Sequence, residues 1–202
     1  MGRDDWNRRY QASELLWTAE PNRFLVAEVG DMAPGRALDV GTGEGRNAVW
    51  LAERGWEVTA VDFSDVGLAK ARRLAESRGV EARWVLADLL AYRPEPCGYD
   101  LVVVLYLHLR PEDRRKVHES VARALAPAGT LLVVGHDRDN IAHGYGGPQD
   151  PAVLFSPEDV IDDMAGVPGL SVVRAEKVTR TVTTDSGPRT AVDALVRAVS
   201  AS

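Results

Sequence analysis

Leu38-Asp39-Val40-Gly41-Thr42-Gly43-Glu44-Gly45-Arg46-Asn47 is the stretch from which the rest of the chain is read. A short apolar segment ending in an acid precedes the glycines. A helix-like segment, Ala48 to Arg54, follows them and is closed by Gly55. A strand that turns through three glycines into a helix brings bare backbone close to a bound molecule, because no Cβ blocks the approach. Trp56 to Asp62 then reads as a second strand ending in a carboxylate. Gly41 and Asp62 lie about 20 residues apart, the spacing at which an acid after the second strand reaches a ribose diol. Strand, glycine turn, helix, strand and acid together make half of a nucleoside-binding α/β sheet.

Working outward, the remaining segments continue the alternation. Ser64 is a suitable N-cap for a helix whose buried face is Leu68, Ala71 and Ala75, with Gly79 as its stop. Ala82 to Leu86 reads as a third strand, followed by Asp88, which suits either a ligand-facing acid or the cap of a short helix leading to Tyr92. Tyr99 to Leu105 is nearly all apolar, as a strand buried on both faces should be. Tyr106-Leu107-His108 follows at its carboxyl end, where open α/β sheets bind ligands. Arg110 to Asp113 opens the next helix, with Pro at its first position. His118 and the basic run Arg114-Arg115-Lys116 on that helix read as solvated surface. Leu125 to Thr130 reads as a stop, and Leu131 to Val134 as the fifth strand.

Gly135 to Phe155 has neither helical nor strand period, and a loop of that length in a compact domain is usually functional. It carries His136, Asp137, Asn140, His143 and Tyr145 and reads as the substrate-side wall. Ser156 caps a helix with Val160, Ile161 and Met164 on its apolar face. Leu170 to Thr183 and Thr190 to Val199 read as two strands around a tight turn, adding an antiparallel strand to an otherwise parallel sheet. Upstream of the core, Ser13 to Trp17 looks helical, and Phe24 to Val29 makes a further amphipathic turn or two. This region reads either as a helix covering a sheet edge or as a lid in which Trp6, Arg9, Tyr10 and Trp17 close over the site.

The 202 residues suit one domain, and the net charge of −6 argues against a nucleic-acid backbone as main partner. A single cysteine, Cys97, excludes an internal disulfide and fits a reducing cytosol. The charged N-terminus does not read as a signal peptide, and no apolar run approaches the ~20 residues of a membrane helix. A soluble, cytoplasmic protein is expected, with no membrane partner; the sequence is silent on oligomeric state.

The glycine spacing discriminates between nucleosides. Dinucleotide dehydrogenases use G-x-G-x-x-G to seat a pyrophosphate. Here the pattern is Gly41-x-Gly43-x-Gly45, with Asp39 two residues ahead of it; a carboxylate there repels a pyrophosphate and suits a ligand carrying an ammonium and a sulfonium. The stretch resembles motif I of the class I S-adenosylmethionine (SAM)-dependent methyltransferases. With Asp62, Asp88, Leu125 to Gly129 and the terminal hairpin, the resemblance covers nearly the whole chain. Trp6, Tyr10 and Gly43-Glu44-Gly45-Arg46-Asn47 are similar to the branch of tellurite-resistance and thiopurine-type methyltransferases.

That resemblance implies a Rossmann-like fold: seven mostly parallel strands, a C-terminal antiparallel hairpin and helices on both faces. It also implies a single domain over 1–202, with a helical lid over 1–34 and an α/β core over 35–202. Asp39, Gly41, Thr42 and Gly43 would line the methionine part of SAM, Asp62 would hold the ribose hydroxyls, and Phe63, Asp88 and Leu89 would flank the adenine. Leu105 would offer its carbonyl to the ammonium, and Arg9 or Arg46 would meet the carboxylate. Ala128 stands where relatives often have a second Gly. The implied reaction is transfer of the methyl group to a small-molecule acceptor through O, N, S or a chalcogen, leaving S-adenosylhomocysteine (SAH), with no metal. Trp6, Tyr10, Trp17, Tyr106, Asn140 and Tyr145 are the substrate-side candidates. If a general base is needed, His108, His136, Asp137 and His143 are the candidates. A non-catalytic SAM-binding module and a nicotinamide oxidoreductase are the competing readings.

Overall fold

The computed structural model describes residues 2–12, 15 and 18–202. Seven strands form one sheet in the order β3-β2-β1-β4-β5-β7-β6. These are β1 (Arg36–Val40), β2 (Glu57–Asp62), β3 (Arg83–Leu86), β4 (Tyr99–Leu105), β5 (Leu125–His136), β6 (Leu170–Thr184) and β7 (Gly187–Ser200). The pairings among β1 to β5 are parallel; β7 runs antiparallel to β5 and to β6. The order changes direction between β1 and β4, so the crevice at their carboxyl ends is where a ligand belongs.

Helices α3 (Arg46–Glu53), α4 (Asp65–Arg78), α5 (Pro111–Ala122) and α7 (Pro157–Met164) connect or flank the strands. Side chains alternate across β4: Leu101, Val103 and Leu105 pack on one face with Trp50 and Leu51 of α3, while Val102 and Val104 pack on the other with Val117 and Val121 of α5 and Val160 of α7. Ser64 caps α4 by accepting from Gly67 N–H, and Gly79 ends it in the left-handed conformation. Ser156 and Asp159 form a capping box on α7.

Upstream, α1 (Arg3–Gln11) lies against α4, and α2 (Arg23–Val29) buries Leu25 and Val29 among residues of β1, α3 and β4. The second helix therefore covers a sheet face rather than the edge expected from sequence; β3 and β6 are the edges. Of the helical segment expected at 13–17, all but Leu15 lies outside the described residues, Trp17 included, and Leu15 has no regular structure. The stop expected at Leu125 to Thr130 is the irregular start of β5, with Ala128 at φ 60°. There the backbone adopts the left-handed form that glycine takes without strain. The long loop is also more ordered than its sequence implies: β5 runs on to His136, α6 spans Asn140–His143, and a 3-10 turn covers Pro151–Val153.

Two residues assigned to the surface are in the core. Arg114 and His118, one helical turn apart on α5, both bond Asp163 of α7: Arg114 Nε at 2.6 Å and His118 Nδ1 at 3.0 Å. All three are buried. Burial alone would raise the Asp163 carboxyl, but the bonds from His118 and Arg114 outweigh it and hold the group below its ordinary range. Burial keeps His118 neutral, its ring pushed below the usual histidine value. The polar cluster was invisible in sequence because its partner lies 45 residues away. Asp163→Ala would strand the Arg114 charge in an apolar layer, and a loss of about 3–5 kcal/mol of unfolding free energy is expected by urea titration.

Candidate active site

The glycine turn sits at the carboxyl ends of β1 and β2. Gly41, Gly43 and Gly45 all have left-handed backbone, at φ 73°, 57° and 81°. A Cβ on Gly45 would stand 2.6 Å from Ala71 Cβ, so this glycine lets α3 and α4 approach closely. A Cβ on Gly43 would stand 2.8 Å from the Tyr10 hydroxyl. Tyr10 is thus buried directly over the turn. Helix α1 is held there by Asn7, which bonds Asp65 at 2.8 Å and Ser64 at 2.6 Å, and by Lys70, whose ammonium donates to the Tyr10 carbonyl. Trp6 packs against Tyr10 with centroids 5.6 Å apart and the rings tilted by 31°, and exposed Arg9 lies over the Trp6 ring.

Beneath the turn are two buried carboxylates. Asp62 accepts from Gly43 N–H and Ser64 N–H, both at 2.8 Å. Burial raises its carboxyl, and those backbone donors oppose the rise. Asp39 accepts from the Thr42 hydroxyl at 2.6 Å and has no cation within ion-pair distance among the described residues. Burial pushes its carboxyl up to about 6, and the Asp62 charge adds to the rise. Arg46 is half-buried, and desolvation lowers it; it feels Tyr106 and Asp39 without a close bond to either. Two buried acids with so little cationic compensation suit a ligand that brings positive charge, so the residues present fit SAM.

The adenine-side candidates separate. Phe63 is half-buried directly after β2, and Leu89 is half-buried against the core. Asp88 is exposed and accepts from Leu90 N–H at 2.9 Å, shaping a turn where a short helix was expected. Leu105 is buried at the end of β4.

Across the switch point lies a second cluster. Tyr106, at φ 57°, is a bulky residue in the left-handed region, a strained position of the kind that clusters at functional sites. Its hydroxyl donates to Asp193 Oδ2 at 2.8 Å, and Arg180 Nε donates to both the Tyr106 oxygen (3.0 Å) and Asp193 Oδ2 (2.8 Å). Burial and the Asp193 charge raise the Tyr106 phenol well above its ordinary value. His136 Nδ1 lies 3.1 Å from Asp193 Oδ1. Its ring packs beside Tyr106 and stacks on His108, with centroids 5.0 and 5.3 Å apart.

Several of the expected site residues are committed elsewhere. His108 Nε2 accepts from His136 N–H at 3.2 Å, so its lone pair is not open to a substrate; burial, then the neighbouring His136, pushes the ring down to about 3. Asp137 is sealed from solvent; its Oδ1 accepts from Asp139 N–H at 2.9 Å and faces Lys177 Nζ at 3.3 Å, while its Oδ2 has no partner among the described residues. Asn140 spends its amide on the Gly146 carbonyl and Val192 N–H, both at 2.8 Å, pinning the loop to β7. His143 and Tyr145 are exposed on that loop. Asp193 and Arg180 were missed in the sequence. The signal was present: Asp193 interrupts the apolar run Ala191 to Val196, and an acid there demands partners.

Fold and glycine turn define a Rossmann-like class I methyltransferase architecture. Residues 37–129 match the family described as methyltransferase domain. Demethylmenaquinone methyltransferase of Thermus thermophilus is 43% identical over 125 residues, covering 60% of this chain and 54% of that protein. Glycine/sarcosine N-methyltransferase of Halorhodospira halochloris is 31% identical over 172 residues, 80% of this chain and 61% of that one. Ribosomal RNA small subunit methyltransferase C of Chromohalobacter salexigens is 33% identical, covering 63% and 44%. The chain thus spans about half the length of these relatives. The N-methyltransferase NodS of Bradyrhizobium japonicum, solved with SAH, shares the fold at a TM-score of 0.73 and 18% identity over 98% of this chain and 97% of that one. The chain shares the fold of class I SAM-dependent methyltransferases, and its residues 37–129 match the methyltransferase domain family.

The Asp39 shift has a signed consequence. Its folded value lies above the unfolded 3.8, so its contribution to stability is full below that value and is lost as pH rises through about 6. Ligand-free protein should therefore lose on the order of 3 kcal/mol relative to Asp39→Asn between acid and neutral pH. Urea midpoints across that window read the divergence.

Proposed function

We propose that this chain transfers the methyl group of SAM to a small-molecule acceptor. The observation that carries the reading is the pair of buried acids, Asp39 and Asp62, under three left-handed glycines at the switch point. SAM, when bound, supplies a methyl group already activated on a sulfonium. The chain's residues then bind, orient and exclude water. Asp39, Gly41, Thr42 and Gly43 line the methionine end; Asp62 takes the ribose hydroxyls, with Phe63, Asp88 and Leu89 around the base. The Leu105 carbonyl meets the ammonium, and Arg46 meets the carboxylate. Helix α1 acts as the lid, and Tyr10 must yield space above Gly43 when the cofactor enters.

A small acceptor is favoured over nucleic acid on two counts. The net charge is −6, and the fourth strand is followed by Leu105-Tyr106-Leu107-His108 rather than by a base-modifying motif such as Asn-Pro-Pro-Tyr. A cytoplasmic setting agrees with a lone, exposed free thiol at Cys97 and with the absence, among the described residues, of a helix able to cross a membrane.

Calorimetric titration with SAM, SAH and NAD tests the reading. SAM and SAH are expected to bind in the micromolar range, and Asp62→Ala to weaken both at least tenfold. Asp62→Asn, which keeps an acceptor for only one of the Gly43 and Ser64 amides, should also weaken both ligands, by less than Asp62→Ala. Binding of NAD instead, or of none of the three, overturns the proposal.

A further inference from the structure

We infer that Asp193 is a positioning residue that holds His136 as the proton acceptor of the reaction, and that the methyl acceptor is a weakly acidic hydroxyl compound such as a phenol or enol. The inference rests on the methyltransferase reading above and deepens it. It starts from two buried atoms that no partner satisfies among the described residues: His136 Nδ1 and Asp193 Oδ1 face each other at 3.1 Å, short of good hydrogen-bond alignment. Unsatisfied buried polar atoms are rare and call for a reason. Catalytic hydrogen bonds are often poorly aligned before substrate binds.

The geometry of the other Asp193 oxygen decides how this pair works. Oδ2 already receives two donors, Arg180 Nε and the Tyr106 hydroxyl, each at 2.8 Å. Oδ1 is thereby turned to His136 and can only accept, which places the imidazole proton on Nδ1 and the lone pair on Nε2. That second nitrogen has no hydrogen-bond partner among the described residues. Beside it lies Gly147, where an added Cβ would stand 2.7 Å from Nε2, in a backbone at φ 76°. Gly147 thus packs against the ring where no side chain would fit, and the His136 side chain keeps 9% of its surface exposed. A Cβ on Gly41 would stand 3.2 Å from Leu107 Cδ1, the residue after Tyr106, so the cluster adjoins the glycine turn.

An oriented base selects the acceptor class. A thiol ionises near pH 8.5 by itself and attacks as thiolate, whereas a phenol, at about 10, is mostly protonated and weakly nucleophilic at neutral pH. In the step, Nε2 takes the hydroxyl proton while an oxygen pair forms the new O–C bond. The pair of the breaking C–S bond stays on sulfur, which becomes a neutral thioether. The positive charge lost from sulfur reappears on the imidazolium, next to the Asp193 carboxylate.

The first test reads the ring nitrogens of isotope-labelled histidine by NMR in the ligand-free, full-length protein. Wild type should show His136 protonated on Nδ1. In Asp193→Asn the amide oxygen must stay on Arg180 and Tyr106, so its NH2 turns to His136 and the tautomer inverts. Tyr106→Phe, which keeps both members of the pair, should retain the wild-type tautomer. His136 protonated on Nε2 in wild type, or no inversion in Asp193→Asn, overturns the positioning role. If Asp193→Asn does not fold, the wild-type and Tyr106→Phe spectra still decide. The second test titrates para-nitrophenol into the protein in slightly acidic buffer. The bound probe should absorb as phenolate with wild type, and His136→Gln should cut that signal at least tenfold. A probe that does not bind, or binds only as the neutral phenol, overturns the acceptor class. Both tests omit SAM, so failure of the cofactor reading and failure of this one are distinguishable.

Discussion

One carboxylate ties the site together. Asp62 ends β2 and receives the amide of Gly43 on one oxygen and that of Ser64 on the other. The first bond fixes the glycine turn, and the second fixes the start of α4. Ser64 in turn caps α4 and bonds Asn7 of the first helix. Turn, second strand, following helix and lid are therefore registered on a single buried acid. Keeping that group ionised under protein costs free energy, and the backbone donors offset only part of it. A ligand that brings hydroxyls or positive charge relieves the remainder.

A second constraint acts through β-sheet register. Antiparallel β7 aligns Asp193 with His136 of β5, and β6 brings Arg180 against both Asp193 and Tyr106. Residues from three strands and from the end of β4 meet only because the hairpin folds back across the parallel sheet. Slipping this register by one residue would turn Asp193 away from the cluster and bury an apolar side chain among charges. The hairpin is thus part of the site as well as the cover of the sheet.

The strand–turn–helix pattern was legible because it is local. Left-handed backbone needs glycine, caps need short polar side chains, and buried strands need continuous apolar runs; each leaves a mark within a few residues. Gly41, Ser64, Gly79 and Ser156 all stand where those rules put them. The errors share one cause. Arg114 and His118 looked like surface because charge normally is, and Asp163 was too distant to pair with them on paper. His108 and Asn140 looked chemically useful, yet their hydrogen-bonding atoms are taken by backbone groups of other segments.

The amino-acid sequence by itself determined the element order, the parallel core with its terminal hairpin, the glycine turn and the acids that make this a methyltransferase fold. Those depend on the backbone preferences of single residues and on the period of apolar side chains. Only the tertiary structure decided which polar groups are spent and which stay open: that His108 serves the backbone, that Asp137 is sealed, and that Asp193 and Arg180 converge on His136. The physical reason is that a hydrogen bond is satisfied by proximity in space, and the chain brings its partners together across dozens of residues that carry no local trace of the pairing.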